Sequence, residues 1–207
     1  MSVAETVRSR VDRSPVGTFF LASHFEGSPR AVESALSRMV KEHSSLCRVR
    51  KGLYWKGVRS RFGMGRPDPV AVARTVARAS GRCLGPTGWS ASLALGLSTQ
   101  LPAMPEFAIS GPAPTGVSGV RFRSRLNPAR NGLGYLDIAL LEVLASWPRR
   151  SEADWEDLLA VSRRLAKEGK LHLKRIEKAA SSENSRLLRA NFAKLAEDLG
   201  LIEPAAA

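Results

Sequence analysis

The chain has 207 residues, 43% of them hydrophobic, with 32 Lys or Arg against 19 Asp or Glu and a formal net charge of +13. That balance excludes an intrinsically disordered chain, and no apolar run reaches the 18 residues that a membrane-spanning helix needs. Cys47 and Cys83 stand far apart with no CxxC, and the charged N-terminus MSVAETVRSRVDRS lacks the apolar stretch of a secretory leader, so a reducing cytoplasm is expected.

The charge is unevenly placed. Lys plus Arg against Asp plus Glu runs 13 to 5 over residues 1–66, 9 to 4 over 67–150 and 10 to 10 over 151–207. A cationic first two-thirds attracts polyanions, because each phosphate contact releases condensed counterions. A merely soluble basic surface is the plain alternative, and only motifs discriminate between the two.

In chain order, Val3, Val7 and Val11 line one stripe of a short helix over 3–12. The segment GTFFLASHF reads as a short strand or turn entering a brief helix. Ser28-Pro29 is a helix start, a serine N-cap followed by proline at the first helical position. The helix it opens runs to about His43, with Val32, Ala35, Leu36, Met39 and Val40 on its apolar face and His43 on the core side. The opposite face carries Arg30, Ser34, Ser37 and Lys41 with Arg38 on the flank, while Glu33 lies to the side. LCRVRKGLYWKG then alternates apolar and basic residues about Lys51-Gly52, which predicts a two-stranded hairpin with a basic tip.

Helix, short helix, longer helix and basic hairpin within 60 residues is the winged helix-turn-helix order. Residues 1–60 are therefore expected to be a DNA-binding domain, with 61–68 a basic Gly/Pro-rich linker and 69–207 a second, mixed α/β domain. Arg30, Ser34, Ser37, Arg38 and Lys41 are the groove-reading candidates. Arg48, Arg50, Lys51 and Lys56 are the hairpin candidates for phosphate or minor groove. Tyr54 and Trp55 read as hairpin core.

Beyond Asp68-Pro69, VAVARTVARAS is an amphipathic helix, and the GPTG turn at 85–88 introduces the apolar helix WSASLALGLSTQ. Residues 106–110 and 117–126 read as strands on either side of a proline-rich turn. In the second, Val120, Phe122, Ser124 and Leu126 face one way and Arg121, Arg123 and Arg125 the other. That arginine stripe is a candidate for docking a partner or for further DNA contact, or else is a solvated strand face. YLDIALLEVLASW is an amphipathic helix stopped by Pro148. Three helices follow over 151–207, beginning at the Ser151/Asp154 capping pair, near 171 and near Ser182, and form a helical C-terminal part.

Nothing here has the spacing of a catalytic or metal site. His24, His43 and His172 are scattered, and there is no HxxxH or GxSxG. The glycine-rich GMGR and GPTG do not continue into a phosphate-binding loop. The acids Glu152, Asp154, Glu156 and Asp157 fit the first turn of a helix, where the macrodipole favours them. The expectation is a protein without catalytic residues, metal or cofactor.

The stretches GTFF…SPRAVESALSRMVKEHSSLCRVRKGLYW and GWSASLALGLSTQLP, with the ALLEVL helix, resemble the AbiEi-like antitoxins of the AbiE (type IV) abortive-infection toxin–antitoxin systems. The resemblance spans roughly residues 1–145, its best-defined pieces being RKGLY and LGLSTQ. It implies an α+β protein in which a winged helix binds inverted repeats in its own operon promoter as a repressor. It further implies a C-terminal domain that counters a nucleotidyltransferase-like toxin, directly or functionally. Palindromic repeats call for two protomers on the DNA. Two alternatives stand beside it: a stand-alone winged-helix regulator with a partner- or ligand-sensing C-terminal domain and no toxin, and a partner-binding protein whose charge serves solubility or RNA contact.

Overall fold

The computed structural model describes residues 2–42 and 45–201 and is a mixed α+β structure of two compact units, Met1–Thr75 and Val76–Ala207. His43 lies outside the described residues.

In the first unit, α1 (Val3–Arg13) opens with a reciprocal cap between Ser2 and Glu5, and its Val7 and Val11 are buried. Strand β1 (Phe19–Leu21) and a 3-10 turn (Ala22–His24) lead to α2 (Pro29–Lys41), capped by Ser28. Val32, Ala35, Leu36 and Met39 of α2 are buried against Val7, Val11, Phe20, Leu46 and Tyr54. Burial of each such large aliphatic side chain stabilises by roughly 2 kcal/mol, so the helix cannot rotate without exposing several at once. Its outward face is fixed by its inward one.

Strands β2 (Leu46–Arg50) and β3 (Leu53–Lys56) form the expected hairpin, and β1 adds to the other edge of β3 in a three-stranded antiparallel sheet of order β1-β3-β2. Gly52 sits in the left-handed region at φ +75°, where side-chain-bearing residues are strained. Residues 58–66 are not a featureless linker. Arg59–Ser60 (β4) pairs antiparallel with Gly63–Met64 (β5) as a second small hairpin. Two-residue strands are too short for any periodicity to reveal. The boundary between the units falls within α3 (Pro69–Ala79).

In the second unit, β6 (Leu84–Pro86) pairs antiparallel with β7 (Glu106–Ser110), which pairs in parallel with β8 (Arg121–Arg125). Helix α4 (Trp89–Leu95) lies between β6 and β7 in the chain. Helix α5 (Tyr135–Ser146) is central rather than amphipathic: all residues from Asp137 to Leu144 are buried, including two carboxylates. Around it lie α6 (Trp155–Lys167), α7 (Leu173–Ser181) and α8 (Arg186–Asp198), whose Leu158, Leu165, Ile176, Leu188, Phe192 and Leu195 share its core.

Two caps of the helical part lie three residues beyond the expected ones. The reciprocal pair at α6 is Asp154 with Asp157, at 3.0 and 3.2 Å, and Ser185 rather than Ser182 caps α8. Glu152, freed from that turn, takes Thr99 N–H at 2.7 Å, Ser98 Oγ at 2.8 Å and Gln100 Nε2 at 3.0 Å, which ties down the LGLSTQ segment. Those bonds hold its carboxyl below the usual range. Glu152, Asp154 and Asp157 of the acidic cluster are thus engaged by this loop and by the α6 cap.

Candidate nucleic-acid interface

The outward face of α2 follows from its buried stripe. Arg30, Ser34, Arg38 and Lys41 are exposed along it. Ser37 is not fully part of that surface. It is half-buried, and its hydroxyl shares a 2.9 Å hydrogen bond with Tyr54, itself 1% exposed, so it fastens the helix to β3. The acids of α2 and its end are Glu33 and Glu42. Glu42 is paired with Arg8 of α1, and a Cβ added at Gly52 would lie 3.7 Å from Glu33 Oε1, which places Glu33 beside the β2–β3 turn.

Arg48 pairs with Tyr54 across the sheet. Directly opposed residues share a face, so Arg48, which is exposed, stands on the side of the sheet that packs on α2. Arg50, opposite buried Leu53, is half-buried, the register shifting between Arg48 and Arg50. Lys51 is exposed at the tip. Arg48 and Lys51 thus add exposed cations to the basic surface of the hairpin, with Glu33 beside its turn.

Lys56 does not join it. Its ammonium donates to the carbonyls of Val11, Asp12 and Ser14 at 2.9, 2.8 and 2.7 Å. All three protons are spent on the C-terminal end of α1, where orphan carbonyls and the helix dipole favour a cation. Lys56 is a helix cap brought in by tertiary structure, not a wing contact.

The second hairpin supplies cations that pattern reading missed. Arg61 and Phe62 form its turn, with Phe62 86% exposed and the Arg61 guanidinium 4.7 Å from its ring centroid. The only sequence signal is the density of arginine and glycine in RSRFGMGR. Its base adjoins Trp55, on the opposite sheet face from Tyr54: a methyl at Gly57 would overlap the indole, and one at Gly65 would lie 4.0 Å from it.

In the second unit, the arginines of the Arg121/Arg123/Arg125 stripe pair with carboxylates. Arg125 makes a two-pronged pair with Glu142 at 2.7 and 2.5 Å. Arg130, 2% exposed, binds Glu142 at 2.6 Å and Glu183 at 2.5 Å. Thr87 donates to Glu142 at 2.5 Å. Burial pushes the Glu142 carboxyl up, but the hydrogen bond and charge of Arg125, the charge of Arg130 and the Thr87 hydroxyl outweigh it and hold it down at about 2. Arg121 pairs with buried Glu106 at 2.8 Å, Arg150 with the same carboxylate at 3.1 Å, and Arg123 more loosely at 3.9 Å. Gly88, at φ +59°, turns the chain where a side chain would be strained, and a Cβ there would crowd the ends of Arg150 and Glu106.

The stripe is thus a corrected expectation: Arg125 is withdrawn into an ion network. Arg121 and Arg123 keep exposed flanks of 62% and 41% but are already paired.

Either side of the 3-10 turn Pro128–Arg130 lie two adjoining concavities of about 280 and 430 Å³ that share Pro128 and Asn131. Arg82 and Arg125 line the first, Arg175 and Lys178 the second, and no carboxylate lines either. Among the described residues no three His, Cys, Asp or Glu side chains gather as a metal site, and no helix is long and apolar enough to cross a membrane.

Fold and site together define an α+β protein whose first unit presents a basic helix-and-hairpin surface. Residues 6–116 match the model of DUF6088, a family of unknown function, and the chain belongs to that family. No curated protein matches it. Among solved structures it is similar to the RV2827C protein from Mycobacterium tuberculosis, at 17% identity and a TM-score of 0.45, over 98% of this chain and 82% of that one.

Proposed function

We propose that the first unit is a winged helix-turn-helix that binds inverted repeats in its own operon promoter, two protomers to a site, and represses it. The observation that carries this reading is the exposed stripe Arg30, Ser34, Arg38 and Lys41 on the side of α2 away from its buried face, together with the exposed Arg48 and Lys51 of the β2–β3 hairpin. A helix so mounted enters the major groove with its core face held by the scaffold, while the hairpin reaches backbone or minor groove. The order α1, β1, 3-10 turn, α2, β2, β3, with β3 between β1 and β2, supports it.

The second half of the reading rests on the sequence resemblance. The second unit counters a nucleotidyltransferase-like toxin, and the protein works in the cytoplasm as an antitoxin without catalytic residues or cofactor. A second reading, a stand-alone regulator whose second unit senses an anionic ligand, is favoured by the concavity lined by Arg175 and Lys178. Co-expression with a nucleotidyltransferase-like product of the adjacent gene separates the two: relief of toxicity supports the antitoxin, and its absence supports the regulator.

The operator reading is tested by titrating the full chain against its own promoter and a scrambled duplex across a range of salt concentrations. Preference for the promoter by roughly three orders of magnitude or more is expected, and equal affinity overturns the reading. Arg30→Ala and Arg38→Ala each weaken promoter binding by roughly 1–3 kcal/mol where they read bases; unchanged affinity in both moves the reading surface off this face.

A further inference from the structure

The hairpin β4–β5 is a preformed element. Its turn is pinned: Ser60 Oγ accepts from Phe62 N–H at 3.1 Å and donates to the Gly63 carbonyl at 3.3 Å. Its base is closed by Gly65 N–H on the Val58 carbonyl at 3.2 Å. Gly63, at φ +103°, turns the chain where a side chain would be strained. A hairpin held this way loses little further entropy on binding.

At its tip stands Phe62, 86% exposed, with Val58 at 61% nearby. An aromatic ring left in water at the end of an ordered turn gains nothing from the fold, and its close neighbour is the Arg61 guanidinium. Between Glu42 and Asp68 the sequence has seven Lys or Arg and no Asp or Glu. Cations flanking an exposed ring suit a partner with both phosphates and flat apolar faces, which is nucleic acid.

We infer that the hairpin β4–β5 is a second DNA contact, in which Arg61 and Arg66 meet backbone phosphates and Phe62 lies against a sugar or an opened base step outside the half-site read by α2. This rests on the reading of the first unit as DNA-binding. The placement follows from the sheet. The hairpin adjoins the Trp55 face and α2 packs on the Tyr54 face, so the hairpin engages duplex that α2 does not cover. Arginine suits the task because its planar fork binds phosphate oxygens in pairs.

The test compares the full chain on two promoter duplexes, one holding only the repeats and one longer by about one helical turn, roughly 10 base pairs, on each side. Wild type is expected to bind the longer duplex more tightly. Phe62→Ser removes that gain, about tenfold, and Arg61→Ala with Arg66→Ala lowers the salt slope on the longer duplex by about 2. Neither variant changes binding to the short duplex, and thermal unfolding confirms that both fold as wild type does. Wild-type behaviour of both variants on both lengths overturns the second contact while leaving the operator reading intact. Equal loss on both lengths overturns its placement outside the half-site. Failure of wild type to bind the promoter at all sinks the reading of the first unit instead. A loss confined to vesicles containing phosphatidylserine assigns the hairpin to an anionic membrane surface and overturns the DNA contact.

Discussion

The two units spend their arginines in opposite ways. In the first, the cations of α2 and the hairpin tips are exposed, Glu42 pairs with Arg8, and Glu33 lies beside the β2–β3 turn. In the second, residues 76–150 hold eight cations against three acids, yet two of those acids, Glu106 and Glu142, engage Arg121, Arg123, Arg125, Arg130 and Arg150. An arginine alternating along a strand looks the same in sequence whether it faces water or a buried carboxylate. Net charge therefore measures the attraction of the first unit for polyanions far better than that of the second. The contrast is open to three perturbations.

The largest effect is expected at Glu142. Glu142→Gln preserves volume but leaves Arg125 and the nearly inaccessible Arg130 short of a counter-charge. Breaking one side of a buried pair costs about 3–5 kcal/mol, to be read as a loss of stability of the full chain in urea. Arg121→Ala, at a pair whose arginine is 62% exposed, is expected to cost less than about 1 kcal/mol. Equal losses for the two erase the distinction between an interior network and a surface one.

Acid is the second perturbation. Glu142 has a folded-state value of about 2 against an ordinary 4.5. A carboxyl whose folded value is depressed contributes fully above its unfolded value, and the contribution is lost as pH falls through the folded one. The second unit is therefore expected to lose on the order of a few kcal/mol between pH 4.5 and 2 through this group. Melting midpoints across that window are steeper in wild type than in Glu142→Gln; parallel curves remove Glu142 as the source.

The smallest effect separates two lysines five residues apart. Lys56→Met is expected to cost about 2 kcal/mol of stability, since three charge-assisted hydrogen bonds on the end of α1 disappear, with no change in the salt slope of DNA binding. Lys51→Ala does the reverse, leaving stability unchanged and flattening the slope by about one phosphate equivalent. A slope change in Lys56→Met returns that lysine to the interface.

Much of this molecule is legible in its sequence. The Ser28-Pro29 start, the buried stripe of α2, the exposed Arg30, Ser34, Arg38 and Lys41 and the Lys51-Gly52 turn all follow from local rules, because periodicity and capping act over a few residues. The all-round burial of α5 is less legible, since only its neighbours α6, α7 and α8 make it central. The hairpin β4–β5 escapes pattern reading because its strands have two residues each.

On the basic surface of residues 1–60, the sequence by itself determined which helix face looks outward, since apolar burial assigns the opposite one. Only the tertiary structure decided which cations keep their charge for a partner. Lys56 meets carbonyls up to 45 positions away, Arg125 finds Glu142 at 17 and Arg150 finds Glu106 at 44. Ion pairing acts through space at about 3 Å, and no spacing rule along the chain encodes which distant carboxylate or carbonyl arrives there.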